Sequence, residues 1–282
     1  MKTEGKGVFM PKLNGTFLGL HGPGEELYYH PLEFRDRVDL SGYFHGGNPP
    51  YSDSYLAEPG QWEEILGRLA VVGVLGKLFF NESNSAHNLS YFLARAAYEQ
   101  LEGAPKFLIL NFDQHEDYEG VGKELLCSNW GVYICRQLRC DYLIVGRRTK
   151  KDALLIPYAD GAKPKRIAKV LNRLSDLQRL VAGYEKIYLT VDMDVMKGTS
   201  QNVKRTNWQH GDIPADTLLE WLGALPPEKV IAGDITGFPP MAKQNGRPFS
   251  REELEIRDTY IGDLEKVAQG LCAVMGIAPY VG

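Results

Sequence analysis

The chain has 282 residues, with 32 Lys and Arg against 36 Asp and Glu, a formal net charge of −4, 44% apolar residues and 24% charged ones. That balance is ordinary for a globular protein and excludes collagen-like, coiled-coil and disordered classes. The mild acidic excess argues against a nucleic-acid binder, which would carry a basic stripe, and no window of about 18 apolar residues offers a membrane span.

The opening residues, MKTEGKGVFMPKLNG, hold no apolar core of signal-peptide length, so a cytoplasmic protein is expected. Residues 1–60, rich in Gly, Pro, Tyr and His without clear periodicity, read as a loop-rich wrap on the main body. Beyond them, short apolar runs alternate with longer helical patterns. The runs are 71–80, 106–112, 141–146, 186–191 and 229–233, nearly continuous in apolar residues, as parallel strands buried on both faces are. Helices are expected over 87–102, 163–182, 214–224 and 251–275, the third with Pro214 in its first turn. This alternation predicts one three-layer α/β/α domain, residues 1–282, around a mainly parallel sheet with right-handed crossovers. Cys127, Cys135, Cys140 and Cys272 form no C-x-x-C pair and read as buried thiols.

In an open parallel sheet, sites form at the carboxyl ends of the strands. Two predicted strands end in acids. The first end reads Asp113-Gln114-His115-Glu116-Asp117, where the outer acids would lie roughly 13 Å apart in an extended chain. They share one site only if the chain curls after the strand. The second end, Asp192-Met193-Asp194, sends both carboxylates to the same side. A lone D-x-D here reads as solvated helix-entry acids. D-x-H-x-D followed by D-x-D on separate apolar strands reads as metal ligands, because clustered acids beside a core need compensating positive charge. His87, just after the 71–80 run and at the start of a helix, adds a further ligand.

At these residues the sequence resembles the ureohydrolases, the family of arginase, agmatinase and formimidoylglutamase. Their signature is a strand-end G-G-D-H, then D-x-H-x-D, then a later D-x-D. Here Ser85-Ala86-His87, Asp113-Gln114-His115-Glu116-Asp117 and Asp192-Met193-Asp194 look like these motifs, while Gly211-Asp212-Ile213-Pro214 and Val230-Ile231-Ala232-Gly233-Asp234 look like later family segments. The resemblance implies an arginase-like sheet of about eight strands and a site for two Mn²⁺ ions. It implies that His87, Asp113, Asp117 and Asp192 hold one ion and Asp113, His115, Asp192 and Asp194 the other. The donor set suits Mn²⁺ better than thiol-selecting metals. Two ions about 3.5–4 Å apart lower the pKa of a shared water, and the resulting hydroxide attacks a guanidinium or amidine carbon in this family. Asp117 and His115 are then the catalytic side chains, a small molecule is the substrate, and a homo-oligomer is expected.

Three positions depart from the family pattern. Ala86 stands where an acid precedes the His. Thirteen residues beyond Asp117, where arginases carry a proton-shuttling His, stands Trp130, whose indole is a donor only. Three residues beyond Asp234, where a Glu binds guanidinium, stands Gly237. Glu116, Glu119 and Asp234 are the acids at hand to replace it, although Asp234 reads better as a structural strand-end residue. These departures predict a substrate other than arginine or agmatine, with Trp130 as an apolar wall and Asn129 beside it. Arg147 and Arg148, followed by Lys150 and Lys151, read as a solvated basic turn or, if they face the site, as holders of a substrate anion. The alternatives are an inactive metal-binding relative with a binding or regulatory role, and a two-metal phosphoesterase.

Overall fold

A computed structural model of the chain describes residues 12–19, 33–40, 44–45, 56–57, 59–81, 86–118, 125–146, 152–158, 167–170, 174–196, 211–237 and 250–278. Its strands are β1 (Lys12–Gly19), β2 (Glu33–Asp39), β3 (Phe44–His45), β4 (Leu56–Ala57), β5 (Leu78–Asn81), β6 (Phe107–Phe112), β7 (Asp141–Val145), β8 (Asp152–Ile156), β9 (Ile167–Val170), β10 (Lys186–Asp192) and β11 (Val230–Thr236). Its helices are α1 (Trp62–Val72), α2 (Leu89–Glu99), α3 (Trp130–Leu138), α4 (Leu174–Ala182), α5 (Ala215–Gly223) and α6 (Arg251–Val274). None is long and apolar enough to cross a membrane.

Nine of the strands form one sheet in the order β2-β1-β5-β11-β10-β6-β7-β8-β9, while β3 and β4 make a separate antiparallel pair. Neighbours run parallel from β2 to β7, and the β7-β8 and β8-β9 pairs are antiparallel. The sheet is thus mainly parallel, as expected, with nine strands among the described residues rather than eight.

The central strands are apolar on both faces because both faces are covered. Alternate residues go to opposite cores. Phe79, Phe107, Ile109, Tyr142, Ile144 and Tyr188 pack with α1, α2 and α3. Leu78, Phe80, Leu108, Leu110, Leu143, Val145, Ile187 and Leu189 pack with α4, α5 and α6. Each such side chain contributes about 1.5–3 kcal/mol of burial. The four cysteines are buried and form no disulfide.

Several boundaries differ from the sequence expectation. The 71–80 run is not one strand: Val71 and Val72 end α1, and β5 begins only at Leu78. The helical pattern that starts at Ile65, Leu66 and Leu69 runs into this apolar segment before Gly73 and Gly76 break it. The expected helix 163–182 is divided into β9, which pairs with β8, and the shorter α4. Strand pairing at the sheet edge overrides a weak helical pattern there. Residues 12–19 and 33–39, expected within a loop-rich wrap, form β1 and β2 of the main sheet. Pro214 immediately precedes α5, and its carbonyl accepts from the Leu218 amide at 3.0 Å.

Candidate metal centre

The four strands β5-β11-β10-β6 lie side by side, and their carboxyl ends carry the acids and histidines singled out in the sequence. Beyond β6 the chain curls. The Asp113 amide donates to the Val145 carbonyl at 2.9 Å, and the His115 amide donates to Asp113 Oδ1 at 2.7 Å. Asn111 Nδ2 donates to Asp113 Oδ2 at 3.1 Å and to the Tyr142 hydroxyl oxygen at 2.8 Å. Asp117 sits at φ +46°, a left-handed conformation uncommon for a residue with a Cβ. This reversal brings Asp113, His115 and Asp117 to one site, as the D-x-H-x-D spacing requires.

At the end of β10, Asp192 Oδ1 accepts from the Asp194 amide at 3.0 Å at the start of a single 3₁₀ turn, Met193–Val195. Gly211 braces this turn by donating to the Asp194 carbonyl at 2.6 Å. A Cβ at Gly211 would fall 1.8 Å from the Val195 carbonyl oxygen, so only glycine permits the contact.

His87 enters from the turn between β5 and α2. Its Nε2 lies 3.0 Å from Thr190 Oγ1. Its Nδ1 lies 2.8 Å from Asp117 Oδ2, 3.3 Å from Asp113 Oδ2 and 3.5 Å from Asp192 Oδ2. None of these contacts has hydrogen-bond geometry, so Nδ1 is a buried nitrogen facing carboxylates without a partner. On the other side, His115 Nδ1 lies 2.9 Å from Asp194 Oδ2 and 3.6 Å from Asp113 Oδ1. Gln114 Nε2 donates to the same Asp194 oxygen at 3.1 Å, while Asp194 Oδ1 is buried with no partner. Two groups therefore offer converging ligand atoms within 4.8 Å of one another: His87, Asp113 and Asp192, and Asp113, His115 and Asp194. The first is buried throughout, and the second includes His115, whose side chain is 34% exposed.

Burial resists every charge here, and the groups settle it among themselves. For His87, burial opposes protonation, but Asp117 and Asp113 outweigh it and push the pKa well up. His115 is likewise pushed up to about 12, by Asp113 and Asp194 against burial. Asp113 resists burial because His115 and His87 hold its carboxyl below the usual range. Burial and the Asp113 charge push Asp117 up to about 6. Burial and neighbouring carboxylates also raise Asp192 and Asp194. Carboxylates crowded around the unpartnered His87 nitrogen are poorly served by protons alone. Divalent cations satisfy both, and the oxygen-and-imidazole donor set fits Mn²⁺-like ions. The residues present fit such ions.

The remaining expected residues fall as follows. Trp130 is fully buried at the start of α3, and its Nε1 donates to Asp117 Oδ2 at 2.9 Å. It stands behind the Asp117 carboxylate, shut off from solvent. Asn129 is buried, and its Oδ1 accepts from the Leu126 amide at 2.8 Å, shaping the turn into α3. Arg147, Arg148 and Glu119 lie outside the described residues. Glu116 is partly exposed, and Gly237 follows β11 with no side chain to offer. Asp234 is buried in β11. Its Oδ1 accepts from Asn81 at 3.0 Å and from Ser90 and Thr190 at 2.9 Å, and its Oδ2 accepts from the Tyr188 hydroxyl. Sequence reasoning missed Asn81, Ser90 and Thr190. Their one signal was polarity inside otherwise apolar elements.

No family model matches the sequence. An uncharacterized protein of Thermotoga maritima is 25% identical over 169 residues, which is 58% of this chain and 59% of that relative. Solved structures speak to the fold. A hypothetical agmatinase from Burkholderia thailandensis matches with TM-score 0.54 at 17% identity, over 86% of this chain and 70% of that one. Proclavaminate amidino hydrolase from Streptomyces clavuligerus matches with TM-score 0.52 at 15% identity, over 92% of both chains. Formimidoylglutamase from Bacillus subtilis matches with TM-score 0.51 at 12% identity, over 97% of this chain and 90% of that one. The fold is that of the ureohydrolases. The ureohydrolase fold here carries the His and Asp groups at the carboxyl ends of its central strands, where such sheets place their sites.

Proposed function

We propose that the chain is a binuclear-manganese hydrolase that cleaves a C–N bond of a small substrate other than arginine or agmatine. One observation carries the reading: Asp113, Asp117 and Asp192 crowd a His87 Nδ1 that has no hydrogen-bond partner, and Asp113, His115 and Asp194 converge beside it. His87, Asp113, Asp117 and Asp192 would hold one ion, and Asp113, His115, Asp192 and Asp194 the other. Two such ions, when bound, lower the pKa of a water at the site and supply positive charge for developing negative charge. The protein's own part is to orient and to exclude water. Asn111 and the His115 amide fix Asp113, the Asp194 amide fixes Asp192, and Gln114 fixes Asp194. Without an ion, burial and the Asp113 charge push Asp117 up to about 6, so ion binding there would displace a proton. Gly237 supplies no carboxylate for a guanidinium, which supports an atypical substrate.

A second reading, a metal-binding protein without turnover, draws on Trp130, which places no proton-transferring group at its position. One experiment separates the two. Metal content is measured on the purified chain, and guanidino, formimino, ureido, amide and aryl phosphate compounds are screened with Mn²⁺. Mn²⁺-dependent release of an amine or ammonia, lost in Asp192→Ala, supports the hydrolase. Metal uptake with silence across the screen supports the second reading. A protein that takes up no Mn²⁺, or whose metal content is unchanged by Asp194→Ala, overturns both.

A further inference from the structure

Trp130 and Gly131 grip Asp117 from two directions. The Trp130 indole Nε1 donates to Asp117 Oδ2 at 2.9 Å, and the next amide, that of Gly131, donates to the Asp117 carbonyl at 3.0 Å. The approach is close. A Cβ at Gly131 would lie 2.9 Å from that carbonyl oxygen and 2.9 Å from the Tyr142 ring. Between these two bonds Asp117 keeps its φ of +46°, a conformation that persists only when its surroundings enforce it. The indole ring also rests on the other ligand of this half. Its centroid is 5.1 Å from the His87 ring, and the Tyr142 ring closes its far side edge-on at 5.5 Å. Trp130 thus touches Asp117 and His87, the two ligands assigned to the buried ion alone. His115 and Asp194 belong to the other. An indole N–H donates and never accepts, so its effect on Asp117 is to aim the carboxylate.

We propose that Trp130, braced by Gly131, is a positioning residue that aims Asp117 and thereby sets the affinity of the buried metal position selectively. The proposal rests on reading the cluster as a binuclear metal centre. Outer partners of metal ligands change affinity by about 10–100-fold when removed, and this one acts on a single half of a shared centre.

The test uses metal-free full chain, equilibrium dialysis against Mn²⁺ and a thermal melt to verify folding. Trp130→Phe keeps the buried ring and deletes the N–H. His115→Ala identifies the phase belonging to the other position. Trp130→Phe is expected to weaken, by about tenfold or more, the phase that His115→Ala spares, and to leave the other unchanged. Equal weakening of both phases, or of neither, overturns the proposal while leaving the metal centre standing. A wild type that binds no ion overturns the metal-centre reading itself. If Trp130→Phe does not fold, the wild type carries the test by indole ¹⁵N resonances. Of the four tryptophans, Trp130 is assigned by elimination with Trp62→Phe, Trp208→Phe and Trp221→Phe. Its resonance is expected to move as Zn²⁺ fills the phase spared by His115→Ala, and a resonance that stays still through that phase overturns the proposal.

Discussion

Asp234 and the acids of the β6 and β10 ends are all buried in the same part of the sheet, yet their surroundings are opposite. Asp234 accepts from Asn81, Ser90, Thr190 and Tyr188, so both its oxygens are served by the protein. Asp194 leaves Oδ1 with no donor at all, and Asp113, Asp117 and Asp192 share the space around an unpartnered His87 nitrogen. The difference teaches how to separate a structural buried acid from a metal ligand, by counting donors rather than exposure. Asp234 Oδ1 takes three donors, whereas each Asp113 oxygen takes one and keeps a lone pair to offer. A cluster left short of donors is what the proposed cations would complete.

The sharpest break of this contrast is Asp113→Ala. Asp113 belongs to both ligand groups, so Mn²⁺ affinity measured by dialysis should fall by more than about 100-fold, beyond the range of outer partners. A smaller loss would move Asp113 toward the Asp234 class. Asp234→Ala should do the reverse. It strands several buried donors and should lower the metal-free unfolding free energy by about 2 kcal/mol or more in a urea melt. Unchanged metal-free stability with lost metal would make Asp234 a ligand in disguise.

Acidity gives a third and gentler probe. The folded-state pKa of Asp117, about 6, exceeds its ordinary 3.8. Its protonated form is therefore favoured by folding, and that stabilisation is lost as pH rises from 3.8 toward 6. His115, at about 12 against 6.5, contributes fully below 6.5 and loses its contribution as pH climbs toward 12. Asp113, held low, acts only below this window. Metal-free Tm should therefore fall from mildly acidic to mildly alkaline pH. Ion uptake displaces these protons, so added Mn²⁺ should raise Tm more at about pH 8 than at about pH 6. A metal-free Tm that climbs across this range would contradict the donor shortage. The smallest effect belongs to Thr190→Val. Thr190 donates to Asp234 and meets His87 Nε2, so it joins the two regions. Its loss should cost about 1 kcal/mol in the same melt.

The framework and the clustered acids were legible because each has a local signature. Continuous apolar runs marked β6, β7, β10 and β11, and the paired spacings marked Asp113, His115, Asp117, Asp192 and Asp194. What escaped depends on distant pairing. β9 is a strand only because β8 lies beside it, and β1 and β2 join the sheet from a segment without periodicity. Trp130 illustrates the same limit at the site. Its position invited a substrate-side reading, but its burial depends on Tyr142 and His87, which come from other elements. Asp234 was read as structural from its strand alone, while the polar groups that make it so are supplied by β5, α2 and β10 as well as β11.

The order of the four central strands has a consequence for maturation. Ligands arrive from beyond β5, β6 and β10, and β11 must slot between β5 and β10 before His87 can face Asp192. Pairings this far apart in sequence form late, because loop closure must be met before contact rewards it. The complete ligand set therefore comes into being only when the sheet does. An ion held there, as proposed, would act as a clasp on strands that the unfolded chain keeps far apart.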